Sequence, residues 1–159
     1  MTVYSLDTSF FMDWQARYYP LDLFVTLNTK VESLIASGDF KAVGLVKEEL
    51  DAIGTPDLKA WAKSHAGLFV PLTPDVQIEA AAIEAKYPDL MDPKGIHQSA
   101  DAYVIALAKL NNGVVVSQET SVHEKRSPGK NHYIPDVCRD LGIHCTNLLG
   151  LMRREKWAF

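Results

Sequence analysis

The amino-acid sequence predicts an α/β fold, a three-layer α/β/α sandwich around a central, mostly parallel sheet. Short apolar runs alternate with amphipathic helical stretches along all 159 residues. The apolar runs lack a polar face, which is typical of strands buried between two layers of helices. The composition, 47% hydrophobic and 23% charged residues, is that of a globular chain, and the length predicts a single domain over residues 1–159.

Five apolar runs are the strand candidates. They cover residues 3–6, 42–46, 68–72, 114–116 and 143–145. The run at 114–116 is the strongest candidate, because it consists of three valines bounded by turn residues. Asp7 ends the first run.

Helical periodicity and helix-start signals predict the connecting helices. They cover residues 21–36, 47–53, 55–67, 73–86, 99–110, 135–141 and 147–156. Thr55-Pro56 and Thr73-Pro74 each place a capping hydroxyl before a proline, which is a common start of a helix. Gly38 follows the first of these helices at the position of a C-terminal glycine. Residues 87–97 and 119–132 are predicted to be loops.

The charge balance limits the kinds of partner. Sixteen Lys and Arg against 20 Asp and Glu give a net charge of −4, unlike a domain that coats duplex DNA with basic residues. Action on nucleic acid would therefore need a local acidic site that recruits divalent metal. The apolar runs are too short for a membrane span, and the N-terminus lacks the features of a secretion signal. We expect a cytoplasmic protein in which Cys138 and Cys145 stay reduced.

Acidic and hydroxyl residues follow the predicted strands or open the predicted helices. The candidates are Asp7, Thr8, Ser9, Glu49, Asp101, Ser117 and Glu119. Ligands of an open α/β sheet bind beyond the carboxyl ends of its strands, so these side chains should converge there. Clustered carboxylates raise one another's pKa unless cations lie among them. Oxygen ligands of this kind suit Mg²⁺ or Mn²⁺.

Each acid also has an ordinary structural alternative. Asp7 could cap a helix over residues 8–14. Asp101 could stabilise the first turn of its helix, because a negative charge there interacts favourably with the helix dipole. The Glu48-Glu49 pair could form a solvated helix face, and Glu119 could be a loop residue. Taken singly, these alternatives are the better interpretation. Taken together, the order and context of the four acids match those of a known family.

Four segments resemble, in order, the motifs of PIN-domain ribonucleases, a family that includes the VapC-like toxins of prokaryotic type II toxin–antitoxin pairs. They are residues 4–9 (YSLDTS), 46–50 (VKEEL), 100–108 (ADAYVIALA) and 114–119 (VVVSQE). The likeness extends from about residue 3 to about residue 148. Glu119 departs from the aspartate that normally ends the fourth motif, and the Glu-Leu pairing selects Glu49 over Glu48. Residues 133–138 resemble a less characterised PIN-like branch.

The resemblance implies metal-dependent hydrolysis of phosphodiester bonds in RNA, with single-stranded RNA as substrate. Asp7, Glu49 and Asp101 would hold Mg²⁺ or Mn²⁺, and Glu119 would place a second ion or orient the attacking water. The hydroxyls of Thr8, Ser9 and Ser117 would hydrogen-bond a ligand carboxylate or the phosphate. The alternative is a catalytically degenerate PIN-like domain that binds protein or RNA, and Glu119 is the feature that favours it.

The implied partners are an RNA substrate, a second copy of the chain and an antitoxin protein. A membrane is not among the expected partners. Six basic residues have two possible roles. They would bind the RNA substrate, or they only keep a loop and the C-terminal tail soluble. They are Lys125, Arg126, Lys130, Arg153, Arg154 and Lys156. The apolar residues of the last helix exceed what one helix needs to cover its own sheet, which favours a homodimer. They are Leu148, Leu151, Met152, Trp157 and Phe159.

Other site types fit the sequence less well. A phosphatase of the haloacid dehalogenase class needs a second aspartate where this chain has Ser9. No glycine-rich phosphate loop follows a predicted strand, which argues against a Rossmann or P-loop nucleotide site. The five histidines lack the spacing of a zinc site.

Overall fold

The computed structural model describes residues 1–91 and 98–159 and confirms the predicted fold class. A five-stranded sheet has the order β3-β2-β1-β4-β5, and every neighbouring pair is parallel. The strands are β1 (Tyr4–Leu6), β2 (Phe40–Val43), β3 (Phe69–Val70), β4 (Val114–Val116) and β5 (His144–Thr146). Part of the predicted loop at residues 87–97 lies outside the described residues. His97, one of the five histidines, lies outside them too.

Helices cover both faces of the sheet. They are α1 (Thr8–Phe11), continued by a π-helix (Met12–Tyr18), α2 (Val25–Ala36), α3 (Gly44–Ile53), α4 (Pro56–Ser64), α5 (Pro74–Lys86), α6 (Asp101–Leu110), α7 (Ile134–Leu141) and α8 (Leu148–Arg154). Helix α6 packs on β1, β2 and β4 beside α5 and α7, whereas α3 packs on β2 and β3 beside α1 and α4. Over the described ranges, none of these helices has the length and hydropathy needed to cross a bilayer.

The strand order changes direction at β1. The chain steps from β1 to β2 and β3 on one side, then returns to place β4 and β5 on the other. The register sets Leu6 beside Val116, and the Asp7 amide donates to the Val116 carbonyl at 3.0 Å. The carboxyl ends of β1 and β4 therefore form the topological switch point, where open α/β sheets bind ligands.

Side chains of β1 tie the central strand to both helical layers. The Ser5 hydroxyl donates to the Val104 carbonyl of α6 at 2.7 Å. The Tyr4 hydroxyl, from the opposite face, donates to Glu155 at 2.8 Å. Burial, and then the carboxylate of Glu155, raise the pKa of Tyr4 to about 12. Since successive strand residues point to opposite faces, the central strand is fixed from both sides.

Several local signals are confirmed. Gly38 adopts a φ of 80°, and the bonds from Gly38 to Ile35 and from Asp39 to Leu34 form a Schellman motif. The Thr55 hydroxyl accepts from the Leu58 amide at 3.2 Å, as a helix cap does.

Some element boundaries were predicted wrongly. The strand expected at residues 42–46 ends at Val43, and α3 already begins at Gly44. Val46 and Leu50 are four residues apart and both buried, so the end of that apolar run belongs to the buried face of α3. A short apolar run fits a buried strand and a buried helix segment equally well. The strand expected at 68–72 is reduced to Phe69–Val70, and the helix expected to end at Gly67 stops at Ser64 before the 3₁₀ turn Ala66–Leu68. Both Cys138 and Cys145 are free thiols.

Gly113 allows the turn from α6 into β4 to pass close to the start of β1. A β-carbon built at Gly113 would overlap the carbonyl oxygen of Val3, which accepts from the Val114 amide at 2.9 Å. We expect Gly113→Ala to lower the free energy of unfolding by about 1–3 kcal/mol, the usual cost of overpacking. Urea unfolding followed by circular dichroism measures this change.

Gly67→Ala is the matched control. Nothing lies within 4 Å of a β-carbon built at Gly67, so this change should stay within about 0.5 kcal/mol of the wild type. Equal effects of the two substitutions would show that the close approach at Gly113 does not constrain the sheet.

Candidate active site

Asp7 follows β1 and lies at the switch point. Its backbone has the extended conformation of a helix N-cap (φ −83°, ψ 158°), but its side chain makes no capping hydrogen bond. Instead, the Oδ2 atom accepts from the Ser9 hydroxyl at 2.5 Å and from the Ser117 hydroxyl at 3.0 Å. The Asp7 side chain is buried, with 4% of its surface exposed. It therefore connects residues at the switch point and does not cap the helix.

Glu49 connects three helices. Its Oε2 atom accepts from the Thr8 hydroxyl of α1 at 2.7 Å, and its Oε1 atom accepts from the Ala100 amide before α6 at 2.9 Å. Burial raises the pKa of Glu49 in spite of these two hydrogen bonds, and the negative charge of Asp7 adds to the rise. Glu48 is exposed. Of the two adjacent glutamates, Glu49 is therefore the one that faces the other acids.

Asp101 opens α6 and is half-buried. Its Oδ2 atom lies 3.7 Å from the Lys130 ammonium. Burial is the main cause that raises the pKa of Asp101 well above its usual value, followed by the charges of Asp7 and Glu119, and Lys130 only partly offsets this rise.

Glu119 lies in the segment after β4. Its Oε2 atom accepts from the Ile134 amide at the start of α7, at 3.0 Å. Burial, and then the charge of Asp7, raise the pKa of Glu119, while the Ile134 hydrogen bond, Lys130 and Lys125 lower it. The four acids thus lie close enough for their charges to act on one another, and the nearby cations leave an excess of negative charge.

Two serine hydroxyls link the strand ends. The hydroxyls of Ser9 and Ser117 lie 3.2 Å apart. Ser9 accepts from the Gln118 amide at 2.9 Å, and Ser117 accepts from the Glu119 amide at 3.1 Å. The same pair that holds the Asp7 carboxylate therefore also fixes the backbone leading to Glu119.

Two contributions were not predicted from the sequence. Asp136 is fully buried, and its carboxylate accepts from the amides of Val122 and Tyr133 at 3.0 and 2.9 Å. It thereby joins the segment after Glu119 to α7. An acid three residues after the start of a helix is a capping signature that could have indicated this role. Lys130 was considered only as a residue that grips substrate or solubilises its loop, and its ion pair with Asp101 was not predicted.

The donor set suits a hard divalent cation. Over residues 1–91 and 98–159, no three His, Cys, Asp or Glu side chains are already arranged to hold an ion. The chemistry nevertheless fits: carboxylate oxygens that repel one another are supported from behind by hydroxyl and amide donors. Asp7, Glu49 and Asp101 are the residues that would hold the cation, with Glu119 beside them.

Comparison with known proteins identifies a family. A family model described as a domain of unknown function, DUF4411, matches residues 4–159. The chain belongs to the DUF4411 family. The match includes all four acids, and a comparison with curated proteins finds no match.

The charge repulsion in this DUF4411 site predicts how stability depends on pH without metal. The folded-state pKa of Asp101 lies well above the unfolded value of about 3.9. Between those two values the native state binds more protons than the unfolded state, so the free energy of unfolding falls as pH rises. Asp101→Asn should flatten this decline, as measured by thermal unfolding in EDTA from pH 4 to 8.

Glu48→Gln is the control for this experiment, because Glu48 is exposed and should leave the pH slope unchanged. A slope that is the same in wild type and Asp101→Asn would contradict the raised pKa of Asp101, which burial and the neighbouring charges cause.

Proposed function

We propose that the protein is a Mg²⁺- or Mn²⁺-dependent ribonuclease that hydrolyses phosphodiester bonds of RNA at this cluster. The observation that carries the proposal is the arrangement of four acids that follow β1 and β4 and lie on α3 and α6. Hydrogen bonds of Asp7, Glu49 and Glu119 and the ion pair of Asp101 connect these elements, and the charges of the acids act on one another. A divalent cation that relieves this repulsion also neutralises a phosphate. The PIN-domain resemblance of the same four segments supports RNA as the substrate.

The side chains have distinct tasks in this proposal. Hydrolysis adds the oxygen of water to phosphorus, breaks one P–O ester bond and returns a proton to the departing oxygen. The bound cation supplies charge neutralisation and lowers the pKa of water. Glu119, whose pKa is raised, accepts the proton of the attacking water or orients that water. The Ile134 amide holds Oε2 of Glu119 and so fixes the direction of the carboxyl group.

The hydroxyls keep the acids in place before substrate arrives. Thr8 holds Glu49, while Ser9 and Ser117 hold Asp7. Such supporting hydrogen bonds orient metal ligands and strengthen their basicity. Lys130, whose ammonium lies 3.7 Å from Asp101, would contact a phosphate oxygen of the bound RNA.

The second candidate is a catalytically degenerate domain that binds protein or RNA without cutting. It is favoured by Glu119 in place of the usual aspartate, since the longer side chain reaches the Ile134 amide at 3.0 Å. Metal dependence separates the two candidates, because a nuclease loses cleavage in EDTA and regains it with Mn²⁺. Cytoplasmic action as the toxin of a toxin–antitoxin pair, with an antitoxin as partner, rests on the resemblance alone.

Substitutions at two acids of α3 test the proposal. Glu49→Gln should lower kcat/KM for cleavage of single-stranded RNA by about 100-fold or more, because it removes a metal ligand. Asp51→Asn should change it by less than about twofold, because Asp51 is exposed and pairs with Lys47 of the same helix. The measurement is gel-based cleavage with Mn²⁺, with circular dichroism as the folding control. Equal activities of the two variants would contradict the assigned site.

The departure at Glu119 gives a graded prediction. Glu119→Asp keeps the charge and should retain measurable cleavage, whereas Glu119→Gln loses the charge and should lose most of it. Asp101→Asn should be the most damaging of the three, because Asp101 is proposed to contact the ion directly. Cleavage by Asp101→Asn at the wild-type rate would refute the mechanism.

We also propose a homodimer, through a surface that differs in part from the predicted one. Leu148 and Leu151 are buried in the chain's own core and cannot serve a partner. The available apolar side chains line a groove of about 440 Å³ between the start of α2 and α8. They include Leu23, Phe24, Val25, Leu149 and Phe159, which are 40–73% exposed. An exposed apolar patch of this kind is typical of an interaction site.

Leu149→Glu tests the dimer. We expect light scattering to give a dimer mass for the wild type and a monomer mass for Leu149→Glu, because the buried charge would be unpaired in the interface. Ile78→Glu, at a side chain that is 72% exposed on α5, should remain dimeric. A wild type that is monomeric at all concentrations would refute the proposal.

A further inference from the structure

We infer that the protein binds one unpaired nucleobase of its substrate in a cleft beside the carboxylate cluster, with Lys130 at the phosphate of that nucleotide. The inference rests on the proposed function and adds to it a binding subsite for one base of the single-stranded substrate.

The cleft lies between α3, the residues that precede α6 and Lys130. It has a volume of about 490 Å³, within the range of small-molecule sites. Its lining is mixed. The apolar residues are Leu45, Ala52, Ile53, Leu90 and Met91, and the polar residues are Glu48, Glu49, Gln98, Ser99 and Lys130. Apolar surface beside a few polar groups suits the faces and the polar edge of a nucleobase.

Two residues connect this cleft to the carboxylate cluster. Glu49 lines the cleft and carries one of the four interacting charges. Lys130 lines the same cleft, and its ammonium lies 3.7 Å from Asp101 and 5.0 Å from the centre of the Tyr133 ring. A nucleotide in the cleft would therefore place its phosphate at Lys130, directly beside the site of hydrolysis.

Part of the apolar lining is exposed where a base would cover it. Ile53 is 62% exposed and Met91 is 41% exposed, and burial of such surface is favourable. Gln98 donates to the Tyr103 hydroxyl at 2.6 Å, which holds its amide group in the cleft lining. A base inside a duplex has its faces stacked and its edge paired, so only an unpaired base can enter.

Lys130 favours a nucleotide as the occupant. A neutral base meets no repulsion from Glu48 and Glu49, which also line the cleft, and its phosphate complements Lys130. Because Lys130 lies 3.7 Å from Asp101, a nucleotide bound in this way has its phosphate beside the carboxylate cluster.

The first experiment uses wild-type protein and single-stranded RNA with one abasic position, scanned across the cleaved bond, in Mn²⁺. We expect kcat/KM to fall about tenfold or more when the abasic position is the nucleotide that occupies the cleft. The same lesion elsewhere should change it little. Metal-dependent cleavage with a flat abasic profile would overturn the cleft assignment and leave the nuclease proposal intact.

The second experiment measures binding without cleavage. We expect AMP to bind about tenfold more tightly than ribose 5-phosphate in equilibrium dialysis, because only AMP carries a base. Ile53→Ser should remove most of this difference, and Ile78→Ser, at a similarly exposed isoleucine on α5, should preserve it. Base-dependent AMP binding that Ile53→Ser reduces, without cleavage of any RNA, would refute the nuclease and support the cleft as a nucleotide site. Equal affinities for AMP and ribose 5-phosphate would overturn the inference and favour a protein occupant.

Discussion

Repulsion among carboxylates that lie largely out of water governs this molecule's candidate site. Asp7 is 4% exposed, and its negative charge contributes to the raised pKa of Asp101, Glu119 and Glu49. Such an arrangement costs stability unless each group is held from behind and a cation relieves the repulsion. Hydroxyl and amide donors supply the first condition for Asp7, Glu49 and Glu119, and Asp101 has the ammonium of Lys130 at 3.7 Å. The second condition, a cation, defines the proposed function.

The fold brings these groups together through the register of its central strands. Leu6 pairs with Val116, so the chain leaves β1 and β4 at the same level and the Ser9–Ser117 pair can bridge them. Helix α3 then supplies Glu49, which binds the amide that precedes α6. Stability of the sheet and geometry of the site therefore depend on the same pair of strands, whose amino ends pack closely at Gly113.

Local sequence signals were sufficient to locate the five strands and most helices, whereas the choice of Glu49 over Glu48 came from the PIN-domain resemblance. They work because buried parallel strands and capped helices have compositions of their own. The pairing of Lys130 with Asp101 and the cleft between α3 and Met91 were beyond such signals. Both depend on segments far apart in sequence, whose approach is set by tertiary packing. The end of β2 was misplaced for a related reason, since Val46 belongs to a helix face only in the context of its neighbours.

Anomalous scattering from crystals soaked in MnCl₂ tests the central claim most directly, because it locates manganese without reference to activity. The account predicts an anomalous peak among the carboxylates of Asp7, Glu49 and Asp101, with Glu119 beside it, and the loss of that peak in Asp101→Asn. Crystals that are saturated with Mn²⁺ and show no peak at this cluster, or an undiminished peak in Asp101→Asn, would contradict it.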